Sequence, residues 1–156
     1  MKIKLVVLGK TTEKAIAELI ALYEKKLVHY TGFELEVIEN SSVKSEHPES
    51  VKEAESLLLM KKIKDSDYLI LLDENGENYD SIGFSKKLQL WLNSGKKQLL
   101  FVVGGPFGFH ETIYKRAQAK ISLSKMTMSH QIVRPVFLEQ LYRAFTILKN
   151  EPYHHK

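Results

Sequence analysis

The stretch FVVGGPFGFH, residues 101–110, decides how the rest of this sequence is interpreted. Phe101, Val102 and Val103 form an apolar, β-prone run, and Gly104, Gly105, Pro106 and Gly108 follow at once. A buried strand that ends in such a turn commonly binds a ligand there, because adjacent glycines let a backbone or a flat ring approach closely. An ordinary turn between a strand and a helix would have the same composition.

The glycine spacing argues against two common phosphate-binding motifs. A dinucleotide fingerprint needs G-x-G-x-x-G, whereas the glycines here fall at 104, 105 and 108, and no G-K-[ST] of a P-loop follows. The turn also comes after the fourth predicted strand, whereas the dinucleotide fingerprint normally follows the first. A phosphate cradle is therefore disfavoured.

On both sides of this stretch, the hydrophobic periodicity alternates between that of a strand and that of a helix along the whole chain. It predicts Thr11 or Thr12 as a helix cap, inward-facing Phe33, Leu35 and Val37, and a polar loop over ENGENYDSIG, residues 74–83. The predicted strands span 2–9, 33–39, 67–73, 98–105 and 119–124, and the predicted helices span 11–27, 48–63, 84–95, about 111–119 and 132–150.

This alternation predicts a single α/β domain, 1–156, with a mostly parallel sheet flanked by helices on both faces. Ligands of such sheets bind at the carboxyl ends of the strands. The loops after Leu72, Val103 and Leu123 are therefore the expected binding loops, and Ser129 is a candidate cap for the final helix.

Composition narrows the class further. There are no cysteines, which excludes disulfides and thiolate zinc sites. The opening MKIKLVVLGK has too short an apolar run for a signal peptide or a membrane span, so we expect a cytosolic, unprocessed protein that needs no membrane. The net charge is +4, and residues 110–156 carry eight Lys or Arg against three Glu. Such a basic segment favours a polyanionic partner, with RNA the leading candidate, although a solvated basic surface is the alternative.

The final predicted helix has two apolar stripes. One contains Val133, Phe137, Leu141, Ala144 and Leu148, and the other contains Leu138, Tyr142 and Phe145. A helix that is apolar on two sides is either deeply buried or shared with a partner.

Several segments, taken together, resemble the SPOUT superfamily of methyltransferases. They are VVLGK near the N-terminus, LLDENG, VVGGPFG, SLSKMTMSHQIVR, EQLYRAF and the terminal EPYHHK. More closely, they are similar to the bacterial family that methylates N3 of a pseudouridine in 23S ribosomal RNA, in the helix 69 stem-loop. The resemblance covers the whole chain and is most specific in its C-terminal part.

The resemblance implies a C-terminal trefoil knot that binds S-adenosyl-L-methionine and releases S-adenosyl-L-homocysteine, with no metal. The glycine turn then holds the adenosine end of the cofactor. Leu72 is expected in the core of the sheet in any case, and Met126 and Met128, taken singly, are more typical of core packing than of a cofactor site. The implied cofactor residues are Leu72, Gly104, Gly105, Leu123, Ser124, Lys125, Met126, Thr127 and Met128.

The resemblance also implies catalysis by the tail of a homodimer, in which one subunit's tail completes the other's site. His154 is a candidate proton acceptor or base-orienting group, because histidine titrates near neutral pH. Tyr153 could stack on the target base, and Arg143 could hold a phosphate or a carbonyl. His155 stands where many members have Arg or Lys, so its charge depends on pH.

The implied substrate is the assembled ribosome, read as a folded surface by phosphate contacts. Two other functions remain open: methylation of another RNA such as tRNA, and a non-catalytic role as a ribosome-binding accessory protein with a vestigial pocket. The candidate RNA-binding residues are Lys115, Arg116, Lys120, Lys125, Arg134 and His155.

Overall fold

Five parallel strands form one sheet, and a computed structural model describes residues 1–155 of the chain. Lys156, the last residue of EPYHHK, lies outside the described residues. The strands are β1 (Lys2–Leu8), β2 (Gly32–Ile38), β3 (Asp67–Asn78), β4 (Gln98–Val103) and β5 (Ala119–Ser122). The helices are α1 (Lys14–Leu27), α2 (Pro48–Met60), α3 (Ser81–Leu92), α4 (Glu111–Arg116) and α5 (Val133–Leu148).

The strand order is β2-β1-β4-β3-β5, and every pair of neighbours is parallel. The sheet predicted from the sequence is thus confirmed. Its central strands β1, β4 and β3 are continuous apolar runs because both faces of the sheet are covered. Helices α1, α3 and α5 contribute to the core on one face, and α2 and α4 contribute to the core on the other.

The register places the carboxyl ends of the central strands level with one another. Val103 of β4 lies opposite Val7 of β1 on one side and opposite Leu72 of β3 on the other. The loops that follow β3 and β4 therefore leave the sheet at the same edge, where β5 also ends. This edge is where the sequence places the ligand.

The predicted loop 74–83 is wrong over its first half, because β3 continues to Asn78. Its pairing with β5 shifts register between Leu72 and Glu77, so residues 73–76 form an irregular bulge. Asn75 and Gly76 favour a turn locally, but pairing with β5 keeps this segment in the strand. Helix α3 correspondingly begins earlier than expected, at Ser81.

Two smaller expectations also differ. Helix α1 begins at Lys14 with Glu13 at the N-cap, which makes no side-chain capping bond, so neither Thr11 nor Thr12 caps it. Val37 is 42% exposed, because β2 is an edge strand that the helices cover only in part.

Most of the two apolar stripes of α5 is buried within the chain itself. Phe137, Leu138, Leu141, Ala144 and Phe145 are all at most 5% exposed, packed against α1, α3 and the sheet. The stripes therefore need no partner to cover them. Their pattern is explained by burial on one face of the sheet, and it is not evidence for a dimer.

We predict that Asp80→Ala lowers the free energy of unfolding by about 1 kcal/mol. Asp80 is the N-cap of α3, and its Oδ1 accepts a hydrogen bond of 2.7 Å from the backbone N–H of Gly83. Urea unfolding measures the effect. Asp65→Ala is the matched control at an exposed position, and equal losses in the two variants would contradict a capping role.

Candidate functional site

A pocket of about 320 Å³ opens at the carboxyl edge of β3, β4 and β5. It is formed by the three loops that the sequence singles out, those after Leu72, Val103 and Leu123. Its floor is apolar and its rim is polar, as is usual for small-molecule sites. The lining residues are Leu72, Asp73, Glu74, Asn75, Val103, Gly104, Gly105, Pro106, Phe107, Gly108, Phe109, Tyr114, Ile121, Leu123, Ser124, Met126, Thr127, Met128, His130 and Val133.

The structure brings together eight of the nine residues that the sequence assigns to a cofactor. The exception is Lys125, which is exposed and is not among the lining residues. Met126 is 79% exposed and stands at the rim. The pocket thus collects segments that lie as far apart in sequence as Leu72 and Met128.

The two adjacent glycines are explained first by the protein's own packing. A Cβ on Gly104 would lie 3.0 Å from the ring of Phe109, and a Cβ on Gly105 would lie 2.6 Å from Oε2 of Glu55. The turn closes through a hydrogen bond of 3.2 Å from the Gly108 N–H to the Gly105 carbonyl. The space that side chains would need at 104 and 105 is therefore already occupied, with or without a ligand.

The loop after β5 is held in place by hydroxyl side chains. Oγ of Ser124 accepts a hydrogen bond of 2.9 Å from the Met126 N–H, and the Thr127 hydroxyl donates to Glu74 at 3.2 Å. Oγ of Ser129 accepts from the Ile132 N–H at 3.1 Å and so caps the turn that leads into α5, whereas the N-cap of α5 itself is Ile132, which makes no side-chain capping bond.

Arg134 is a correction to the sequence analysis. Its side chain is 1% exposed, so it does not face RNA as predicted. It donates to the carbonyl oxygens of Leu8 (2.9 Å), Gly9 (3.0 Å) and His130 (3.0 Å), and to the Thr11 hydroxyl (3.0 Å). The guanidinium therefore ties the start of α5 to the end of β1.

Arg116 is half-buried, and its predicted contact with RNA stays a prediction. Its Nη2 donates to the carbonyl oxygen of Lys64 at 2.7 Å and to that of Asp67 at 3.3 Å. Asp67 begins β3, so Arg116 lies at the amino edge of the sheet, away from the pocket. These backbone contacts give it a structural role.

The remaining predicted RNA contacts are exposed. Lys115 pairs with Glu111 at 3.0 Å, and Nζ of Lys120 lies 5.3 Å from the ring of Tyr114, which lines the pocket. Lys125 and His155 are also exposed.

Sequence reasoning missed the acidic rim of the pocket. Asp73 and Glu74 follow β3's last buried residue, and the Tyr114 hydroxyl donates to Asp73. Burial and this hydrogen bond raise the pKa of Tyr114 to about 12, so it remains a neutral donor. The motif LLDENG contains both acids, and their place directly after a buried strand was the available signal.

A second polar cluster joins α5 to the tail, and it contains all three predicted catalytic residues. Arg143 donates to Oε1 of Glu139 through Nε at 3.0 Å and Nη2 at 2.5 Å. The Tyr153 hydroxyl donates to the same oxygen at 3.1 Å, and the Arg143 guanidinium lies 4.7 Å from the Tyr153 ring centroid. Glu139 is therefore the centre of the cluster, although sequence reasoning did not single it out.

The hydrogen bonds of this cluster assign its protons. Nη1 of Arg143 lies 3.2 Å from Nδ1 of His154, and because arginine can only donate, Nδ1 accepts. The neutral imidazole then carries its proton on Nε2, which makes it a donor in this arrangement. Burial and the bonds to Tyr23 and Glu139 raise the pKa of Tyr153, and the Glu139 bond raises the pKa of Arg143. These groups are suited to orienting a base by donating hydrogen bonds.

The tail cluster, which consists of Glu139, Arg143, Tyr153 and His154, contributes no residue to the lining of the pocket within one chain. Helix α5 begins at the pocket with Val133 and runs for 16 residues, about 24 Å. The tail is anchored at the far end, where the Tyr30 hydroxyl, just before β2, donates to Glu151 at 2.6 Å. One chain thus does not place His154, Tyr153 or Arg143 in its own pocket.

Among the described residues there is no cluster of three or more His, Cys, Asp or Glu side chains that could hold a metal ion. Within residues 1–155, no helix is both long and apolar enough to cross a membrane.

Comparison with known proteins agrees with the fold and the pocket. The sequence matches the family described as "Predicted SPOUT methyltransferase" over residues 1–154. It is 55% identical to the ribosomal RNA large subunit methyltransferase H of Flavobacterium johnsoniae, over the full length of both proteins. It is 53% and 52% identical to the proteins of the same name from Flavobacterium psychrophilum and Christiangramia forsetii, again over both full lengths. With a family match across almost the whole chain and such relatives, this protein belongs to the SPOUT methyltransferases.

Proposed function

We propose that this enzyme methylates N3 of a pseudouridine in 23S ribosomal RNA, in the helix 69 stem-loop of assembled ribosomes. The methyl donor is S-adenosylmethionine, and S-adenosylhomocysteine is the product. The observation that carries the proposal is the pocket at the edge of β3, β4 and β5, built from the segments LLDENG, VVGGPFG and SLSKMTM. The names of the relatives support large-subunit ribosomal RNA as the substrate.

The residues of the pocket fit this cofactor. Leu72, Val103 and Leu123 offer apolar walls for an adenine ring, and the backbone of the 123–128 loop offers donors and acceptors. Asp73 and Glu74 at the rim suit the positive charge that S-adenosylmethionine carries. When bound, the cofactor supplies a methyl group on a sulfonium centre.

The protein's part in the reaction is alignment and stabilisation of charge. The N3 of the target base gives its proton to solvent water, because His154 and Arg143 both donate in the observed arrangement, and the transfer needs nitrogen, methyl carbon and sulfur in line. In the observed arrangement Nε2–H of His154 and the Arg143 guanidinium both donate, so they can hold the carbonyl oxygens that flank N3. Negative charge that develops on the base as the proton leaves is stabilised by these donors.

The reaction requires two chains in this proposal. Because the tail cluster does not line the pocket of its own chain, the proposal has a second copy supply the tail. A homodimer with two-fold symmetry would build two such composite sites, each with the pocket of one subunit and the tail of the other.

RNA binding in the proposal uses the basic side chains that remain exposed: Lys115, Lys120, Lys125 and His155. Contacts of this type hold phosphates and make affinity depend on salt, while the folded ribosomal surface supplies the specificity. A ribosomal substrate places the enzyme in the cytoplasm.

Methyl transfer from labelled S-adenosylmethionine tests the proposal. The acceptors are assembled ribosomes, free large subunits and bulk tRNA, all from cells that lack the endogenous activity. The proposal predicts label in the 23S RNA of assembled ribosomes, mapped to one pseudouridine. Label in tRNA alone would mean that the protein is a methyltransferase whose substrate is tRNA and not the ribosome. No transfer and no binding of S-adenosylmethionine would favour an accessory protein instead.

A further inference from the structure

Glu55 is a buried acid behind the glycine turn of the pocket. It lies on α2, is 3% exposed, and belongs to the polar residues of the core. A Cβ on Gly105 would lie 2.6 Å from its Oε2 and 2.7 Å from its Oε1, so the carboxyl group is in direct contact with the turn. Gly105 lines the pocket and Glu55 does not. The carboxyl group therefore touches the turn from the side away from the ligand space.

The position of Glu55 is costly for the folded protein. Its Oε1 is completely buried and has no hydrogen-bond partner among the described residues. An unsatisfied buried polar atom costs about 1–3 kcal/mol. Burial raises the pKa of Glu55, and the neighbouring Asn40 side chain opposes this shift only in part. An apolar side chain of similar size would fill the same space at lower cost.

The surroundings of Glu55 are the ends of three strands. Asn40 follows β2. A Cβ on Gly9, which lies at the end of β1, would be 3.0 Å from Oδ1 of Asn40. Gly105 follows β4. The carboxyl group thus sits where β1, β2 and β4 end, which is the frame from which the glycine turn projects.

The turn itself contains donors that could satisfy Glu55. The Gly108 N–H is already bonded to the Gly105 carbonyl, and Pro106 has no N–H. Gly105 and Gly108 are paired as an isolated antiparallel bridge, so the backbone N–H of Phe107 is the remaining donor next to the contact. A small tightening of the turn would bring it to the free Oε1.

We propose that Glu55 is a positioning residue for the cofactor turn: when S-adenosylmethionine binds, Oε1 accepts a backbone hydrogen bond from the Gly104–Gly108 turn and holds it against the adenosine. This inference rests on the proposed use of that cofactor. The unsatisfied oxygen is a cost of the free enzyme that binding removes, so part of the affinity comes from a residue that does not touch the ligand.

Two substitutions separate positioning from packing. Glu55→Leu removes the acceptor and keeps the volume, whereas Glu55→Gln keeps an acceptor oxygen without the charge. We expect Glu55→Leu to weaken binding of S-adenosylhomocysteine about 10-fold, while its thermal midpoint equals or exceeds that of the wild type. We expect Glu55→Gln to bind within about three-fold of the wild type. Glu53→Leu, at an exposed position of the same helix, is the matched control.

The readouts are calorimetric binding of S-adenosylhomocysteine and hydrogen exchange of the Phe107 amide. Ligand should protect this amide in the wild type and in Glu55→Gln, but not in Glu55→Leu. Should Glu55→Leu not fold, Glu55→Ala serves in its place. If the wild type and Glu55→Leu bound S-adenosylhomocysteine with equal affinity, the role of Glu55 would be overturned and the proposed function would stand. A wild type that binds no S-adenosylhomocysteine and no S-adenosylmethionine would overturn the proposed function itself.

Discussion

Replacing Arg134 by leucine is expected to lower the free energy of unfolding by about 3 kcal/mol or more. The substitution removes the donor to four acceptors, the carbonyl oxygens of Leu8, Gly9 and His130 and the Thr11 hydroxyl. Leucine is long enough to fill part of the space but cannot satisfy any of these oxygens. Equilibrium unfolding in urea measures the loss.

The same substitution should also disturb the pocket, because Arg134 follows directly on Val133, which lines it. Lys125→Leu is the matched control, since Lys125 is exposed and lies in the same connection between β5 and α5. Arg134→Lys should recover only part of the stability, because an ammonium group cannot reproduce the planar fork of five donors. A loss below about 1 kcal/mol for Arg134→Leu would show that water satisfies these acceptors and would contradict the structural role.

The second large effect is expected for His154→Ala, which should lower kcat for methyl transfer to ribosomes about 100-fold or more. His154 is the only tail histidine bonded to Arg143, and that bond fixes the proton on Nε2. Losing it removes one donor to the base without opening the pocket. The affinity for S-adenosylhomocysteine should therefore stay within about three-fold of the wild type.

His155→Ala is the comparison for this experiment. His155 is exposed and is proposed to contact RNA, so its loss should raise KM for ribosomes in a salt-dependent way and leave kcat nearly unchanged. Both variants should keep the thermal midpoint of the wild type. If His154→Ala lost cofactor affinity as strongly as kcat, the histidine would belong to the cofactor site and not to base orientation.

Much of the fold could be predicted from the sequence because the central strands are covered on both faces. The runs LVVL, LILL and LLFVV can only be buried strands of a parallel sheet at these lengths, and the loops after Leu72 and Val103 must then share an edge. The pocket follows from that topology. The trefoil knot remains a prediction of the family resemblance.

Sequence reasoning misplaced Arg134 and did not single out Glu55, and both are charged side chains in apolar stripes. Arg134 shares a helical stripe with Leu138 and Leu141, and Glu55 shares one with Val51 and Leu59. The charge of Arg134 suggested RNA, whereas the spacing of four residues from Leu138 indicated burial. The extension of β3 to Asn78 could not be predicted from the local sequence, because it depends on pairing with β5.

In the proposed enzyme, the pocket of one subunit works with the tail of the other. Within one chain, His154, Tyr153 and Arg143 are not among the residues that line the pocket. The claim is tested by combining two defective chains. Leu123→Trp fills the pocket and leaves the tail intact, and His154→Ala does the reverse.

Methyl transfer to assembled ribosomes by the purified heterodimer of these two variants is the most direct measurement. The chains are co-expressed with different tags, and dimers that carry both tags are isolated. Each homodimer should be nearly inactive, whereas the heterodimer contains one fully intact composite site and should show about half of the wild-type activity. A heterodimer as inactive as its parents would mean that each chain uses its own tail, and it would contradict the composite site.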